Sequence, residues 1–414
     1  MKKRSLSLLL SAAMLAATLS GCGGSTQSAS SAAASSAAPA SSAAASSAAA
    51  SSEAASSGAA AASNGKVVKI GVISSMTGGS AIYGQGAQNS INMAVEEINA
   101  GGGTHVQILN GGKVVDDGGD SKQAVNAYNS LAPEKPDAIV GAFFSSVTLP
   151  MAQLAKQQNM LLLATGATNV KVTQVGPTIF RDCFIDPYQG KMAAKFAQEQ
   201  GVKKIAVVYA KDDDYSNGLK DAFVQNAQAN GMQVVYTGAC TTKDTDFTAQ
   251  ASQVVQSGAD FLYYPCFLDT VPLLVEQARE AGFNGKIMGG DGWDGSNTAG
   301  HEASFKDCYF TNHYSNEDTA PAVVKFVTKY KQKYGDKSLN ACAALYYDAI
   351  YMLKKAADDS GATDTASLVK GMTGMKFTGV GGTFTLDADR NAQKAVVINT
   401  YDNGKVKWLK TIAP

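Results

Sequence analysis

Short unbroken apolar runs alternate with amphipathic stretches along most of the chain. Two of these runs, 137–142 and 160–165, have the length of strands that are buried on both faces of a parallel sheet. The stretch between them predicts a helix with Pro150 in its first turn, where the missing amide donor costs nothing, and with Met151 and Leu154 on its apolar face. A strand, a crossover helix and a parallel strand bring the two following loops to one edge of a sheet.

Both of those loops carry small hydroxyl residues. The first contains Phe144, Ser145 and Ser146, and the second contains Gly166 and Thr168. Hydroxyls and free backbone amides at one sheet edge supply several neutral donors, which suits a small carboxylate. Serine and threonine are also typical caps of the helices that follow such loops, and the residues alone leave both interpretations open.

The order strand, loop, helix occurs in both halves of the chain. The first half opens with a predicted strand at 67–73 and a helix at 84–99, and the second half restarts with a strand at 203–209, a loop at 212–218 and a helix at 219–229. This alternation predicts an α/β fold with two doubly wound, Rossmann-like lobes. Further strands are predicted at 232–236, 259–264 and 286–290, and a further helix at 271–281.

An acid follows the last of these strands. Asp291 stands between Gly290 and Gly292, and glycines let backbone approach a ligand closely. We therefore predict that Asp291 faces a ligand, while a turn-forming aspartate remains the alternative. Trp293 in the same loop is also compatible with packing between lobes.

The first 65 residues predict export and anchoring. Three basic residues precede an apolar run at 6–19, which is too short to span a bilayer and has the form of an export signal. The run ends in Leu-Ser-Gly-Cys, which resembles the lipobox of bacterial lipoproteins. We therefore expect removal of residues 1–21, lipidation of Cys22, and a Ser/Ala-rich flexible tether up to residue 65.

Charge and cysteine usage exclude several classes of function. The chain has 35 basic and 35 acidic residues, and removal of the signal leaves 32 basic residues and a net charge of −3, which argues against nucleic acid as a partner. Besides Cys22, the cysteines are widely spaced and contain no CxxC pair, so we expect buried free thiols and no zinc site. Asp116, Asp117 and Asp120 favour a capped helix start at 121–131 over a metal site. No cofactor is predicted.

Catalytic motifs are missing from the sequence. It contains no GxSxG, P-loop or HExxH pattern. Its three histidines, His105, His301 and His313, are predicted to be structural or exposed, and a nucleophile would need a base beside it. We therefore expect that the protein is not an enzyme.

Eight segments follow one another along residues 66–414, namely GVISSMTGGSAIYGQG, INAGGG, DDGGDSKQA, GAFFSSVT, ATGATN, DDDYSNGL, GGDGWDGS and YYDAIYML. Each is weak alone, but the ordered set resembles the periplasmic-binding-protein type 1 family. More closely, it is similar to the branched-chain amino acid binding proteins of ABC importers.

The resemblance implies a ligand cleft between two lobes that a three-segment hinge joins, with crossings near 186, 314 and 394. Lobe I would comprise 66–186 and 315–394, and lobe II would comprise 187–314 and 395–414.

The resemblance also assigns ligand-binding residues by matching position. Asp291 would pair with the ligand's ammonium group. The loops of the first lobe would hold the carboxylate and part of the amino group through Ser145, Ser146, Gly166 and Thr168. Aromatic residues would line the side-chain pocket, namely Tyr83, Phe143, Phe144, Tyr215 and Phe267.

The function implied is that of an extracytoplasmic lipoprotein that captures a small amino acid, branched-chain or similarly apolar, and delivers it to the permease subunits of an ABC importer. The protein would be a monomer that touches the membrane through its lipid anchor only. A sensory protein of the same fold would use the same ligand chemistry. A binder of another small polar solute, such as an amide or a sugar, would share the architecture, although sugar sites favour Asp, Asn or Arg side chains around the hydroxyls.

Overall fold

The computed structural model describes residues 65–414, so the predicted export signal, Cys22 and the tether lie outside the described residues. Within the described part, strands form two large sheets and a small one, and helices pack around the large sheets. We call the first large sheet with its helices lobe I, and the second large sheet with its helices lobe II.

Lobe I is built on a sheet in which every strand pair is parallel. Its strands are β1 (Val67–Ser74), β2 (His105–Ile108), β3 (Val115–Asp116), β4 (Ala138–Val140), β5 (Leu161–Ala164) and β6 (Ile179–Arg181). The order across the sheet is β2-β1-β4-β5-β6, and β3 also pairs with β1. The helices in this part of the chain are α1 (Ala81–Ala100), α2 (Leu109–Gly112), α3 (Ser121–Leu131), α4 (Ser145–Gln157) and α5 (Lys171–Gln174).

Lobe II follows along the chain. Its first strands are β7 (Lys204–Ala210), β8 (Gln233–Cys240), β9 (Phe261–Tyr263), β10 (Lys286–Gly289) and β11 (Cys308–Asn312). A small antiparallel sheet comes next, with β12 (Lys376–Gly379), β13 (Gly382–Leu386) and β14 (Ala392–Gln393). The last strands, β15 (Val396–Asp402) and β16 (Lys405–Ile412), return to lobe II and complete the order β16-β15-β11-β10-β9-β7-β8.

The remaining helices divide between the lobes. They are α6 (Asp186–Glu199), α7 (Asp214–Ala229), α8 (Thr248–Gln256), α9 (Val271–Glu280), α10 (Pro321–Tyr334), α11 (Ala341–Ser360) and α12 (Thr365–Met372). Helix α6 packs on α7 in lobe II, whereas α11 packs on α1 and α12 in lobe I. The chain therefore passes between the lobes between β6 and α6, between β11 and α10, and between β14 and β15.

Burial on both faces explains why the sheet strands are continuous apolar runs. In β7, Ile205 and Val207 point into one core of lobe II, while Ala206 and Val208 point into the core on the opposite face. Since successive strand residues face opposite sides, a strand between two helix layers needs an apolar residue at every position. The predicted α/β fold with two doubly wound lobes is confirmed.

Three predicted helix starts are wrong. Helix α4 begins at Ser145, so Pro150 lies inside the helix and not in its first turn. Helix α7 begins at Asp214, within the predicted loop, because the Asp213 side chain caps it by accepting a hydrogen bond from the Ser216 amide. Helix α1 also begins earlier than predicted, at Ala81. In contrast, α3 has the predicted bounds, and Asp120 caps it.

The cysteines follow the prediction within the described residues. All are free and buried, namely Cys183, Cys240, Cys266, Cys308 and Cys342.

Candidate ligand-binding cleft

The loops that follow β4 and β5 meet at one edge of the lobe I sheet, because these strands are parallel neighbours. The amides of Val147 and Thr148 donate to the Phe144 carbonyl at the start of α4. The amides of Ser145 and Ser146 come before these first helical bonds, so the helix presents its positive end at this edge. A carboxylate is the natural ligand of such a helix N-terminus.

The serine hydroxyls of this edge already have partners in the structure. Ser145 is buried, and its Oγ accepts a hydrogen bond of 3.2 Å from the Asn169 amide. Ser146 Oγ donates to Asp213 Oδ2 of lobe II at 3.0 Å. Neither serine caps α4 through its side chain. The capping interpretation therefore does not explain these two residues.

The loop after β5 brings Gly166 and Thr168 to the same edge. Gly166 has a φ of +91°, and a Cβ atom there would lie 2.5 Å from the ring of Phe143. Glycine is therefore required both by the backbone and by the packing of the ring. The hydroxyl of Thr168 is buried and has no hydrogen-bond partner in the structure.

The five predicted aromatic residues form one continuous group across both lobes. Tyr83 packs on Phe143 with ring centroids 4.4 Å apart, and Phe144 contacts Phe267 edge to face at 4.5 Å. Phe267 in turn stacks on Tyr215 at 4.8 Å. The aromatic group thus joins lobe I to lobe II through the pair of Phe144 and Phe267.

Asp291 lies in a single helical turn directly after β10 and is 1% exposed. Its Oδ1 accepts a hydrogen bond of 2.6 Å from Gln189 Nε2 of α6, and its Oδ2 lies 3.0 Å from His313 Nε2. Burial lowers the pKa of His313, although the Asp291 hydrogen bond acts in the opposite direction. The Nδ1 atom of His313 is buried and has no hydrogen-bond partner. We therefore assign a neutral ring that carries its proton on Nε2 and donates it to Asp291. Protein groups therefore hold this carboxylate in place on both sides.

Asp186 is a candidate site residue that sequence reasoning missed. It is the first residue of α6 and is 1% exposed, and its carboxylate oxygens accept no full hydrogen bond, although the Thr168 hydroxyl is close enough to interact with them. Burial raises its pKa well above the ordinary value, the charges of Asp291 and Asp213 add to the rise, and Thr168 and Arg181 oppose it. A cation beside Asp186 would stabilise the charged carboxylate and offset the cost of its burial.

A helix start explains why Asp186 was missed. Asp186 precedes Pro187 at the first crossing between the lobes, and this pair reads as an ordinary helix N-terminus. Only the fold reveals that the carboxylate forms neither an ion pair nor a full hydrogen bond.

The lobes contact each other around the cleft. The Tyr83 hydroxyl lies 3.0 Å from the Gly292 carbonyl oxygen and 2.9 Å from that of Asp294. The Ala341 amide donates to Asp294 Oδ2 at 2.6 Å, and Ser80 Oγ donates to Asp269 Oδ2 at 3.2 Å. These bonds join the two lobes, so the structure shows a closed arrangement.

The mouth of the cleft holds a cavity of about 370 Å³. Its walls include Phe144 and Ser146 of lobe I together with Asp213, Phe267 and Asp269 of lobe II. The described residues contain no group of His, Cys, Asp or Glu side chains that is suited to a metal ion. Among residues 65–414, no helix combines the length and apolar character that a membrane span requires.

Two doubly wound lobes, three crossings and a cleft with convergent donors and acids define a two-lobed solute-binding protein. Residues 67–405 match the family model described as periplasmic binding protein, and the chain belongs to that family. Its members act outside the cytoplasm and bind solutes, so the chain is an extracytoplasmic binding protein and not an enzyme.

Individual relatives support this assignment. The chain is 28% identical over 355 residues to the Leu/Ile/Val-binding protein homolog 3 of Brucella melitensis, which covers 83% of this chain and 94% of that protein. It is 32% identical over 230 residues to the Leu/Ile/Val-binding protein BraC3 of Rhizobium johnstonii, which covers 54% of this chain but only 61% of that protein, less than two thirds of its length. The crystal structure of a leucine binding protein, LivK, from Thermotoga maritima superposes with a TM-score of 0.78 at 32% identity, covering 84% of this chain and 99% of that one.

Proposed function

We propose that this protein captures a small apolar amino acid, of the branched-chain type, outside the cytoplasm and delivers it to an ABC importer. The observation that carries the proposal is the meeting of complementary groups in one cleft. Lobe I contributes the α4 N-terminus, lobe II contributes the buried acids Asp186 and Asp291, and Thr168 lies directly beside Asp186. Donors opposite acids suit the two charges of a zwitterion.

The carboxylate would lie at the N-terminus of α4, beside Ser145 and Ser146. The ammonium would lie near Thr168 and between the two acids, where Asp186 gains the cation that it lacks. The ligand is thereby required to carry an ammonium and a carboxylate group close together, as an α-amino acid does on one carbon atom.

The aromatic group indicates the character of the ligand's side chain. Phe143, Phe144 and Phe267 offer ring faces and edges without polar atoms, so they favour an aliphatic group. The relatives whose names refer to leucine, isoleucine and valine agree with this choice.

Closure of the lobes would complete the site. Donors from lobe I and acids from lobe II meet only in the closed arrangement, so a ligand that binds both sides selects it. The hydrogen bond between Ser146 and Asp213 and that between Ser80 and Asp269 would form at the same time. The importer would then distinguish loaded from empty protein by its shape.

We also propose that Cys22 carries the lipid anchor and that the protein acts as a monomer on its tether. In a Cys22→Ala variant, we expect the folded domain to remain intact and membrane retention to be lost. Recovery of this variant in the membrane fraction would refute the anchor.

The test of the ligand is isothermal titration calorimetry of the 66–414 domain against the twenty amino acids. We expect the tightest binding for leucine, isoleucine or valine, weak binding for acidic amino acids, and none for their amides or decarboxylated amines. Binding of no amino acid, with tight binding of a sugar instead, would overturn the proposal.

A further inference from the structure

A second cavity, of about 490 Å³, lies between the lobes and shares none of its lining residues with the predicted ligand residues. Ile82 and Asn340 line it from lobe I, and the loop 294–297 lines it from lobe II. The segment 312–316, which leads out of β11 toward α10, forms another wall. Tyr83 and the backbone at Gly292 and Asp294 stand between this cavity and Asp291. We call it the rear cavity.

The rear cavity is lined mainly by amides and hydroxyls. These are contributed by Ser296, Asn297, Asn312, Tyr314, Ser315, Asn316, Asn340 and Asn399. Side chains of this kind offer donors and acceptors without net charge. The lining therefore differs from the aromatic and acidic cleft, and it suits a different class of molecule.

Two buried polar atoms of the lining have no partner. The hydroxyl of Tyr314, a residue that is 4% exposed, makes no hydrogen bond, and neither does Oδ1 of Asn399, which is 1% exposed. Buried hydroxyl and amide groups in proteins are nearly always satisfied by protein, water or ligand. Ligand hydroxyls that accept from Tyr314 and donate to Asn399 would satisfy these two atoms.

Charge further limits the occupant. Lys337 is the one basic residue of the described lining, and it is exposed at the rim. The buried acid, Asp294, already accepts a hydrogen bond of 2.6 Å from the Ala341 amide. An anion would therefore find no buried cation, and the two charges of a zwitterion would meet only Asp294 and the exposed side chains of Lys337 and Asp336.

From this geometry we infer that the rear cavity binds a small neutral polyhydroxy compound, a polyol or a monosaccharide. Each hydroxyl of such a ligand both donates and accepts, which matches the Asn-rich lining, and Ile82 and Leu339 supply apolar contact for its carbon atoms. The volume lies within the range of ligand pockets and far exceeds the space that one water needs.

The position of the cavity links it to closure. An occupant that touches both Ile82 of lobe I and the 294–297 loop of lobe II is bound more tightly when the lobes are closed. Since coupling between two sites is reciprocal, a bound polyol would raise the affinity for the amino acid. This second step rests on the proposed function, whereas direct binding of the polyol does not.

The direct test is ligand-observed NMR and calorimetry of the 66–414 domain, without amino acid, against glycerol, myo-inositol and D-glucose. We expect one of them to bind, and Tyr314→Phe to weaken that binding about fivefold, the loss of one neutral hydrogen bond. The matched control is Tyr188→Phe, which removes another buried, unpartnered hydroxyl, in α6 and outside the lining of the cavity, and it should bind like the parent.

The possible outcomes separate the cavity from the amino acid site. Failure of all three compounds to bind the folded parent would show that the cavity holds water only, and would overturn the inference. Equal binding by the parent and Tyr314→Phe would overturn it as well. If a polyol binds but no amino acid does, the inference about the rear cavity is supported and the proposed function is refuted.

Discussion

Thr168 and Asp291 are both predicted ligand residues, and they differ in how completely protein atoms satisfy them. The Thr168 hydroxyl is buried without a partner, whereas both carboxylate oxygens of Asp291 are held by Gln189 and His313. Asp186, whose amide donates to the Thr168 carbonyl oxygen at 3.0 Å, likewise accepts no full hydrogen bond through its carboxylate oxygens. The unsatisfied groups gain new bonds when a ligand arrives, while Asp291 supplies a charge whose orientation is fixed beforehand. Fixed charges of this kind favour binding because no reorganisation is needed.

This contrast predicts the largest effect at Asp291. Asp291→Ala removes the oriented charge and also leaves His313 Nε2 without its acceptor, while Gln189 keeps its bond to Thr311. Loss of a charge-assisted bond and an uncompensated buried ammonium should weaken amino acid binding by roughly two orders of magnitude or more, as measured by calorimetry. Asp291→Asn is the control for shape, and it should also bind weakly. Parental affinity in Asp291→Ala would make the loop after β10 a structural turn.

Asp186→Asn should have the next largest effect. The amide keeps the shape of the side chain but removes the charge that the ammonium would neutralise, so affinity should fall by about one to two orders of magnitude. The ligand-free variant should be more stable than the parent, because no buried carboxylate needs a partner. Both quantities can be followed by calorimetry and thermal unfolding.

The control for Asp186 is Asp117→Asn, another buried acid with an unpartnered oxygen, which contacts Ser75 inside lobe I. It should alter stability without a comparable loss of affinity. Equal affinity losses in both variants would mean that Asp186 acts through the fold and not through the ligand.

Some features of the fold and of the candidate site could be predicted from the sequence, and others could not. Hydroxyl loops after buried strands were predictable, because parallel strands bring their ends together and the apolar runs mark those strands. The role of Asp186 was hidden, since the same Asp-Pro pair starts an ordinary helix. The start of α7 was also missed, because Asp213, read as loop, is its cap and places Tyr215 in the first turn. The strands β12 to β16 were not predicted. In β16, for example, the large apolar residues Trp408 and Leu409 are exposed, so apolar and polar residues do not alternate as they do in a half-buried strand.

The contact between Ser146 and Asp213 provides a pH test of the closed arrangement. Burial raises the pKa of Asp213 to about 6. A carboxyl whose native pKa lies above its unfolded value, roughly 3.9, stabilises the fold at low pH and loses that contribution as pH rises. Asp213 should therefore lower the free energy of unfolding of the ligand-free protein between about pH 4 and pH 6 by up to about 3 kcal/mol. Asp213→Asn should remove that part of the decline. Parallel pH profiles of the free energy of unfolding for the two proteins would exclude a contribution from Asp213.

Gly166 tests the packing of the donor edge. Gly166→Ala places a Cβ atom 2.5 Å from the Phe143 ring and also strains a backbone with a φ of +91°. We expect a stability loss of about 1–3 kcal/mol and a lower affinity, since the aromatic wall must move. Gly201→Ala is the matched control, because its φ is +76° but no atom lies within 4 Å of the new Cβ. Gly201→Ala should lower stability only through backbone strain and should leave affinity unchanged. Equal effects of the two substitutions on affinity would show that packing against the Phe143 ring is not the cause.

Ser146→Ala should have the smallest effect on binding. Its Oγ donates to Asp213 Oδ2 across the lobes at 3.0 Å, so the substitution removes one bond of the closed arrangement. The carboxylate of the ligand keeps the Ser145 hydroxyl and the amides of α4, and one lost neutral donor corresponds to about a fivefold to tenfold weaker affinity. If Ser146 acts through closure, combining it with Asp213→Ala should cost less than the sum of the two single changes, since each of these changes removes the same bond. Additive losses in this double-mutant cycle would show instead that Ser146 binds the ligand independently of Asp213.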